Sequence, residues 1–128
     1  MFRVKKTFEI AVAHKLSLPY VSKCTNIHGH NLIITVYCQG ERDENGMVTD
    51  FTLIKKIVQD KLDHQNLNEI EGLGFTTSEE DENLAITENP TAENIAKWIS
   101  VQVPNCYQVD VQESEGNVAT YIDDRVIG

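Results

Sequence analysis

Two stretches limit the fold of this chain more than anything else in it. Residues 2–14 read FRVKKTFEIAVAH, with Phe8, Ile10, Val12 and His14 on one parity and Glu9, Ala11 and Ala13 on the other. From His28 the chain reads HGHNLIITVYCQG, with His28, His30, Leu32, Ile34 and Val36 on one parity. Successive side chains of a strand point to opposite faces, so each stretch predicts a half-buried strand whose apolar face also carries histidine. Residues 15–27 contain Ser17, Pro19 and Ser22 and read as a loop. If the two strands pair as a hairpin around that loop, His14 falls across from His28 and His30.

After ERDENG, where Asn45-Gly46 is a strong turn signal, the period changes. Phe51, Ile54, Ile57, Val58 and Leu62 recur at helical spacing, with Thr49 or Asp50 as the N-cap. That helix ends near DHQNLN, where Asn66 and Asn68 favour a turn. A long polar connection over residues 69–88 follows, containing the acidic run TTSEEDEN, which reads as a solvated loop. A second helix opens at NPTAENIAKWISVQV, with an apolar stripe of Ala92, Ile95, Ala96, Ile99 and Val103. Asn89 capping with Pro90 in the first turn and Thr91 as the cap are both open. YQVDVQES and NVATYIDD then predict a hairpin around Glu115-Gly116, with Val109, Val111 and Glu113 on one face.

The order ββααββ predicts an α+β fold, a four-stranded antiparallel sheet with two helices on one face. At 128 residues the chain is expected to form one domain. No apolar run approaches the ~18 residues of a membrane span. The N-terminus alternates and lacks a small-residue cleavage site, so it does not read as a signal peptide. The cysteines, Cys24, Cys38 and Cys106, are odd in number and cannot pair completely, which predicts a reduced, cytoplasmic protein. A net charge of −9 with no basic stripe argues against a nucleic-acid partner.

The histidines are where chemistry is expected. His28 and His30 point the same way, and Gly29 between them leaves the opposite face open to close packing. With His14 they make a possible three-histidine Zn²⁺ site, which needs about three protein ligands and an open position when catalytic. Cys24 is either a fourth ligand, closing a structural site, or a free nucleophile or base beside a cation. Cys38 and Cys106 read as buried apolar residues. His64 has an adjacent acid, Asp63, suited to proton transfer, although a histidine at a helix end is also favoured by the dipole. Glu113 on an inward face needs a partner, which a planar pair of donors on a ligand could supply.

Taken together, FEIAVAH, CTNIHGHN, MVTDF, LDHQNLN, NPTAENIA and VDVQES resemble, in type and order, the 6-pyruvoyl-tetrahydropterin synthase superfamily over residues 3–122. The C-x-x-x-HGH spacing, Cys24 to His28, is similar to the 6-carboxytetrahydropterin synthase branch, which feeds queuosine and other 7-deazapurines. The biopterin branch separates these residues more widely. The resemblance implies the tunnelling fold, in which trimers close a barrel and stack into hexamers. It implies zinc on His14, His28 and His30, Cys24 as general base, and Asp63 with His64 as a proton relay presented from a neighbouring subunit. It further implies Glu113 as the pterin anchor, with Thr91 and Glu93 lining the pterin pocket. The implied substrate is 7,8-dihydroneopterin triphosphate, and the implied products are 6-carboxy-5,6,7,8-tetrahydropterin, acetaldehyde and triphosphate. Ser22-Lys23 stands where many relatives are expected to carry His-Lys. An acidic chain must also bind a highly anionic substrate, and Lys15 and Lys23, which bracket the loop, are the candidate local cations.

Overall fold

A computed structural model describes residues 1–70 and 89–124. Strands β1 (Phe2–His14) and β2 (His28–Gly40) form a long antiparallel hairpin, in register without a break from Phe2 opposite Gly40 to His14 opposite His28. β1 becomes regularly buried on alternate residues at Phe8, Ile10, Val12 and His14, and β2 does so at Leu32, Ile34, Val36 and Cys38. Period two is thus expressed as one apolar face.

Helix α1 (Phe51–Leu62) starts at Asp50, whose side chain accepts from Thr52 N at 2.8 Å. Thr49 is not the cap; its hydroxyl donates to the Val48 and Pro104 carbonyls. Ile54, Val58 and Leu62 form the buried stripe. Helix α2 (Ala92–Gln102) is capped by Thr91, which accepts from Asn94 N at 3.2 Å, and not by Asn89. Its residues Ala92, Ile95, Ala96 and Ile99 join α1 and the buried strand faces in one core. Full burial contributes ~1.5–3 kcal/mol for each large aliphatic residue. Truncating Ile54 or Ile95 to Ala would cost ~2–5 kcal/mol through the cavity left behind.

The expected four strands are joined by a fifth. After α1, Gln65–Asn66 forms a two-residue strand β3, parallel to β1. β4 (Cys106–Ser114) and β5 (Asn117–Ile122) form the last hairpin, and the sheet order is β3-β1-β2-β4-β5. The sequence of β3 reads as a turn because two residues show no period. What makes it a strand is local docking: Ala11 N donates to Asp63 Oδ1 at 2.8 Å, and His64 N donates to Ala11 O at 2.6 Å. These bonds lay the following residues along the outer edge of β1. Gly116 closes the β4–β5 turn at φ +80, a conformation that residues with a Cβ rarely adopt. The acidic run at 76–83 lies outside the described residues.

Candidate active site

The hairpin register sets the first part of the site. His14 ends the buried face of β1 opposite His28, and His30 follows on the same face of β2. The three rings lie 4.6–5.1 Å apart between centroids, each pair steeply inclined. Their ligating nitrogens all lie within 4.8 Å of one another, and among the described residues no other group joins this cluster.

Two of the rings have their tautomers set by backbone. His14 Nδ1 is 2.7 Å from Pro90 O, and His28 Nδ1 is 2.7 Å from Asn26 O. A carbonyl can only accept, so Nδ1 carries the proton in both rings and Nε2 presents a lone pair. This is the outer-shell arrangement that orients metal-binding histidines. Burial holds the His14 pKa below its ordinary value, against the opposing effect of the Pro90 bond, and so favours the neutral ligand form.

A metal fits this arrangement for a specific reason. His14 is 1% exposed, and its Nε2 makes no hydrogen bond. Glu113 Oε1 approaches it at 3.3 Å and His30 Nε2 at 3.4 Å, within ion-pair range but, for His14, without hydrogen-bond alignment. With Nδ1 protonated, His14 turns its Nε2 lone pair toward a carboxylate oxygen, and the two repel unless a positive charge lies between them. A buried unpaired polar group costs roughly 1–3 kcal/mol, a cost that metal ligation would remove.

In front of the histidines is a cavity of about 390 Å³, lined by Leu16, Lys23, Cys24, His28, His30, Thr91, Ala92, Glu93 and Glu113. Cys24 sits in a single 3-10 turn, Lys23–Thr25, capped by Ser22 Oγ, which accepts from Cys24 N at 3.1 Å. The turn is tied to the end of the hairpin by Leu16 N, which donates to Cys24 O at 2.7 Å. Cys24 therefore faces the cavity while standing outside the histidine cluster. Of the two candidate cations, Lys23 lines the cavity and Lys15 does not.

Glu113 reaches the cavity because Val109 and Val111 bury the same face of β4. Thr91 and Glu93 reach it from the first turn of α2. Asp63 and His64 pair with each other, Oδ2 to Nδ1 at 3.1 Å, but they lie on the outer edge of β1 and do not line this cavity. The Ala11 amide chiefly holds the Asp63 carboxyl below the ordinary carboxylate value, opposed by burial and helped by His64. His64 is 80% exposed in its side chain and adopts φ 59, a left-handed conformation that histidine tolerates better than most residues.

Cys38 and Cys106 are buried register partners on β2 and β4. Hydrogen bonding to Cys106 and burial push the Cys38 thiol up, away from the reactive thiolate form. Gly29 is exposed, and a Cβ there would meet only Val12 O at an ordinary 3.6 Å, so nothing described in this chain packs closely over it. Two residues with no sequence signal for this site emerge from the structure. Asn68 and Asn89 each grip the backbone that follows His14. Their only sequence signals were turn preference and a possible helix cap.

Comparison with known proteins agrees with this geometry. A sequence model of 6-pyruvoyl tetrahydropterin synthase matches residues 3–124. A Synechocystis sp. protein named 6-carboxy-5,6,7,8-tetrahydropterin synthase is 32% identical over 98% of this chain and 97% of its own. A Bacillus subtilis protein of the same name is 29% identical over 94% of this chain and 84% of its own. The solved structure of Caenorhabditis elegans 6-pyruvoyl tetrahydropterin synthase superposes with a TM-score of 0.68 at 28% identity, covering 94% of each chain.

Proposed function

This chain belongs to the 6-pyruvoyl tetrahydropterin synthase family, and from that premise we propose that it is a zinc-dependent 6-carboxytetrahydropterin synthase. It would convert 7,8-dihydroneopterin triphosphate to 6-carboxy-5,6,7,8-tetrahydropterin, acetaldehyde and triphosphate, supplying queuosine and related 7-deazapurines. The observation that carries this reading is the division of labour at the cavity. Three imidazoles converge as a donor set, while a thiol faces the same space from outside that set.

His14, His28 and His30 hold the ion. When bound, zinc supplies Lewis acidity to the substrate's side-chain oxygens and stabilises negative charge as it develops. Cys24, as thiolate, removes a proton from the substrate side chain. Glu113 accepts from the pterin ring N–H and exocyclic amine. A site that reads both donors discriminates against analogues lacking them by roughly 10⁴. Thr91 and Glu93 flank the ring, and Lys23 meets the phosphates. Asp63 and His64 complete the proton path from a neighbouring subunit of a hexamer, a dimer of trimers. Each copy is a single domain, and the protein works in the cytoplasm; no described helix is long and apolar enough to cross a membrane.

A second reading, 6-pyruvoyl-tetrahydropterin formation without carbon–carbon cleavage, is favoured by the name of the Caenorhabditis relative. Mass spectrometry of the product separates the two. A third is a non-catalytic pterin-binding module closed by Cys24 on the metal. Metal analysis of Cys24→Ala decides that case. The enzyme reading expects full zinc content with turnover lowered at least about 100-fold, and loss of zinc with the thiol would overturn it.

A further inference from the structure

The hydrogen-bonded edge of β1 does not stop where the strand does. In extended chain the backbone groups of residues i and i+2 point the same way. On the side away from β2, the odd-numbered residues of β1 are met one after another. Ala11 is bonded by Asp63 and His64, and Ala13 pairs with Asn66 of β3.

Beyond His14 no strand among the described residues pairs with this edge, yet the pattern continues through side chains. Lys15 N donates to Asn68 Oδ1 at 2.8 Å, and Asn68 Nδ2 donates to Lys15 O at 3.0 Å. Ser17 N donates to Asn89 Oδ1 at 2.8 Å, and Asn89 Nδ2 donates to Ser17 O at 2.9 Å. A carboxamide offers one acceptor and a donor much as a peptide group does, so each asparagine imitates a neighbouring strand. Holding Lys15 and Ser17 outward turns Leu16 the other way, where its N–H meets Cys24 O. Leu16 and Cys24 then line the cavity together.

The two grips come from different elements. Asn68 lies in the 3-10 turn Leu67–Glu69 and is buried. Asn89 precedes Pro90, whose carbonyl orients His14, and its own carbonyl accepts from Asn94 Nδ2 of α2 at 2.8 Å. With Thr91 serving as the helix cap, the Asn89 carboxamide is left for Ser17.

We propose that Asn68 and Asn89 are positioning residues, whose carboxamides extend the β1 edge past His14 and so hold Cys24 at the cavity wall beside the histidine cluster. Its catalytic consequence rests on Cys24 being the base. Small displacements of a reacting group can lower turnover up to about 100-fold without disturbing ground-state binding.

The test uses the full-length, zinc-loaded protein with Asn89→Ala, Asn89→Asp and Cys24→Ser, reading amide hydrogen exchange at Leu16 and steady-state turnover of 7,8-dihydroneopterin triphosphate. Asn89→Ala is expected to speed exchange at Leu16 and lower kcat, each at least about 10-fold, with zinc content kept and KM within about twofold. Asn89→Asp, which keeps the acceptor for Ser17 N and loses the donor, is expected to fall between Ala and wild type. Unchanged Leu16 exchange and kcat in Asn89→Ala would overturn the proposal, as would a lowered melting temperature with kcat intact. Asn68→Ala, which removes the paired bonds to Lys15, is expected to act in the same direction as Asn89→Ala; if it is too unstable to assay, the Asn89 series decides alone. Cys24→Ser tests the underlying reading separately: it should leave Leu16 exchange unchanged and abolish turnover. Retained turnover there would sink the role of the thiol, while Leu16 exchange in the Asn89 series would still report on the grip.

Discussion

At the scale of single residues, the site is governed by where lone pairs and charges are placed. Asp63 shows how one carboxylate can serve structure before chemistry. Its Oδ1 takes the Ala11 amide and its Oδ2 takes His64 Nδ1. Its pKa in the folded chain lies below the ordinary 3.8, so the unfolded chain binds more protons as acid is added. The stability it contributes is therefore fully present above pH 3.8 and is lost as pH falls through the lowered folded value. Asp63→Asn keeps an acceptor for Ala11 and cannot titrate. Urea midpoints of the metal-free protein should fall less steeply from pH 5 to pH 3 in the variant than in wild type, and parallel curves would contradict this account. Lys23 makes a different prediction. It is a cavity-lining cation in a chain of net charge −9, so Lys23→Ala should raise KM for a triphosphate substrate about 3-fold to 10-fold at low salt, with the difference shrinking as salt is added. The histidine cluster was legible from sequence because strand parity puts His28 and His30 on one face and hairpin pairing brings His14 across from them. Asn68 and Asn89 were not, because whether a carboxamide caps a helix or grips a strand depends on what folds against it.

At the scale of elements, long periodic segments were readable and short docked ones were not. Both hairpins and both helices follow from periods of two and 3.6. β3 has no period and exists because Asp63 and His64 fasten it to β1. The two helix starts can be separated experimentally. Asp50→Ala and Thr91→Ala each remove a side-chain acceptor from a first-turn amide and should each lower stability by about 1 kcal/mol in urea titrations. Asp50 does not line the cavity and Thr91 does. Of the two variants, only Thr91→Ala should also change KM, and Thr91→Ser should restore the cap. A matching KM effect in Asp50→Ala would mean that helix stability, not contact, sets substrate affinity.

At the scale of the molecule, the question is what covers the rest of the sheet. From Ala11 to Ser17 the outer edge of β1 is closed by Asp63, His64, β3 and the two asparagines. From Arg3 to Glu9 that edge has no strand partner among the described residues, and neither does the far edge of β5. Ile33, Val118 and Ile122 are exposed on strands of the same sheet. Long open edges invite strand addition, and closing a barrel removes them. Gly29 fits the same picture, since its open face has no close neighbour among the described residues. None of this was legible from periodicity, which reports only the face a strand buries in its own core. If copies join edge to edge, the N–H groups of the odd residues of β1 are the donors, as Ala11 shows further along the same edge. Thr7→Pro removes one such donor while sparing the backbone bonds to β2, because Thr7 shares Ala11's parity; on that side it loses only the exposed Thr7–Thr35 hydroxyl contact. Wild-type protein should sediment at about six times the 14.5 kDa chain mass, and Thr7→Pro should dissociate toward single chains that keep their far-ultraviolet spectrum. Turnover should be lost with the assembly if Asp63 and His64, which lie away from this chain's own cavity, serve a neighbour's as proposed. A Thr7→Pro protein of wild-type mass would place the interface elsewhere, and a monomer with full turnover would remove Asp63 and His64 from the proton path.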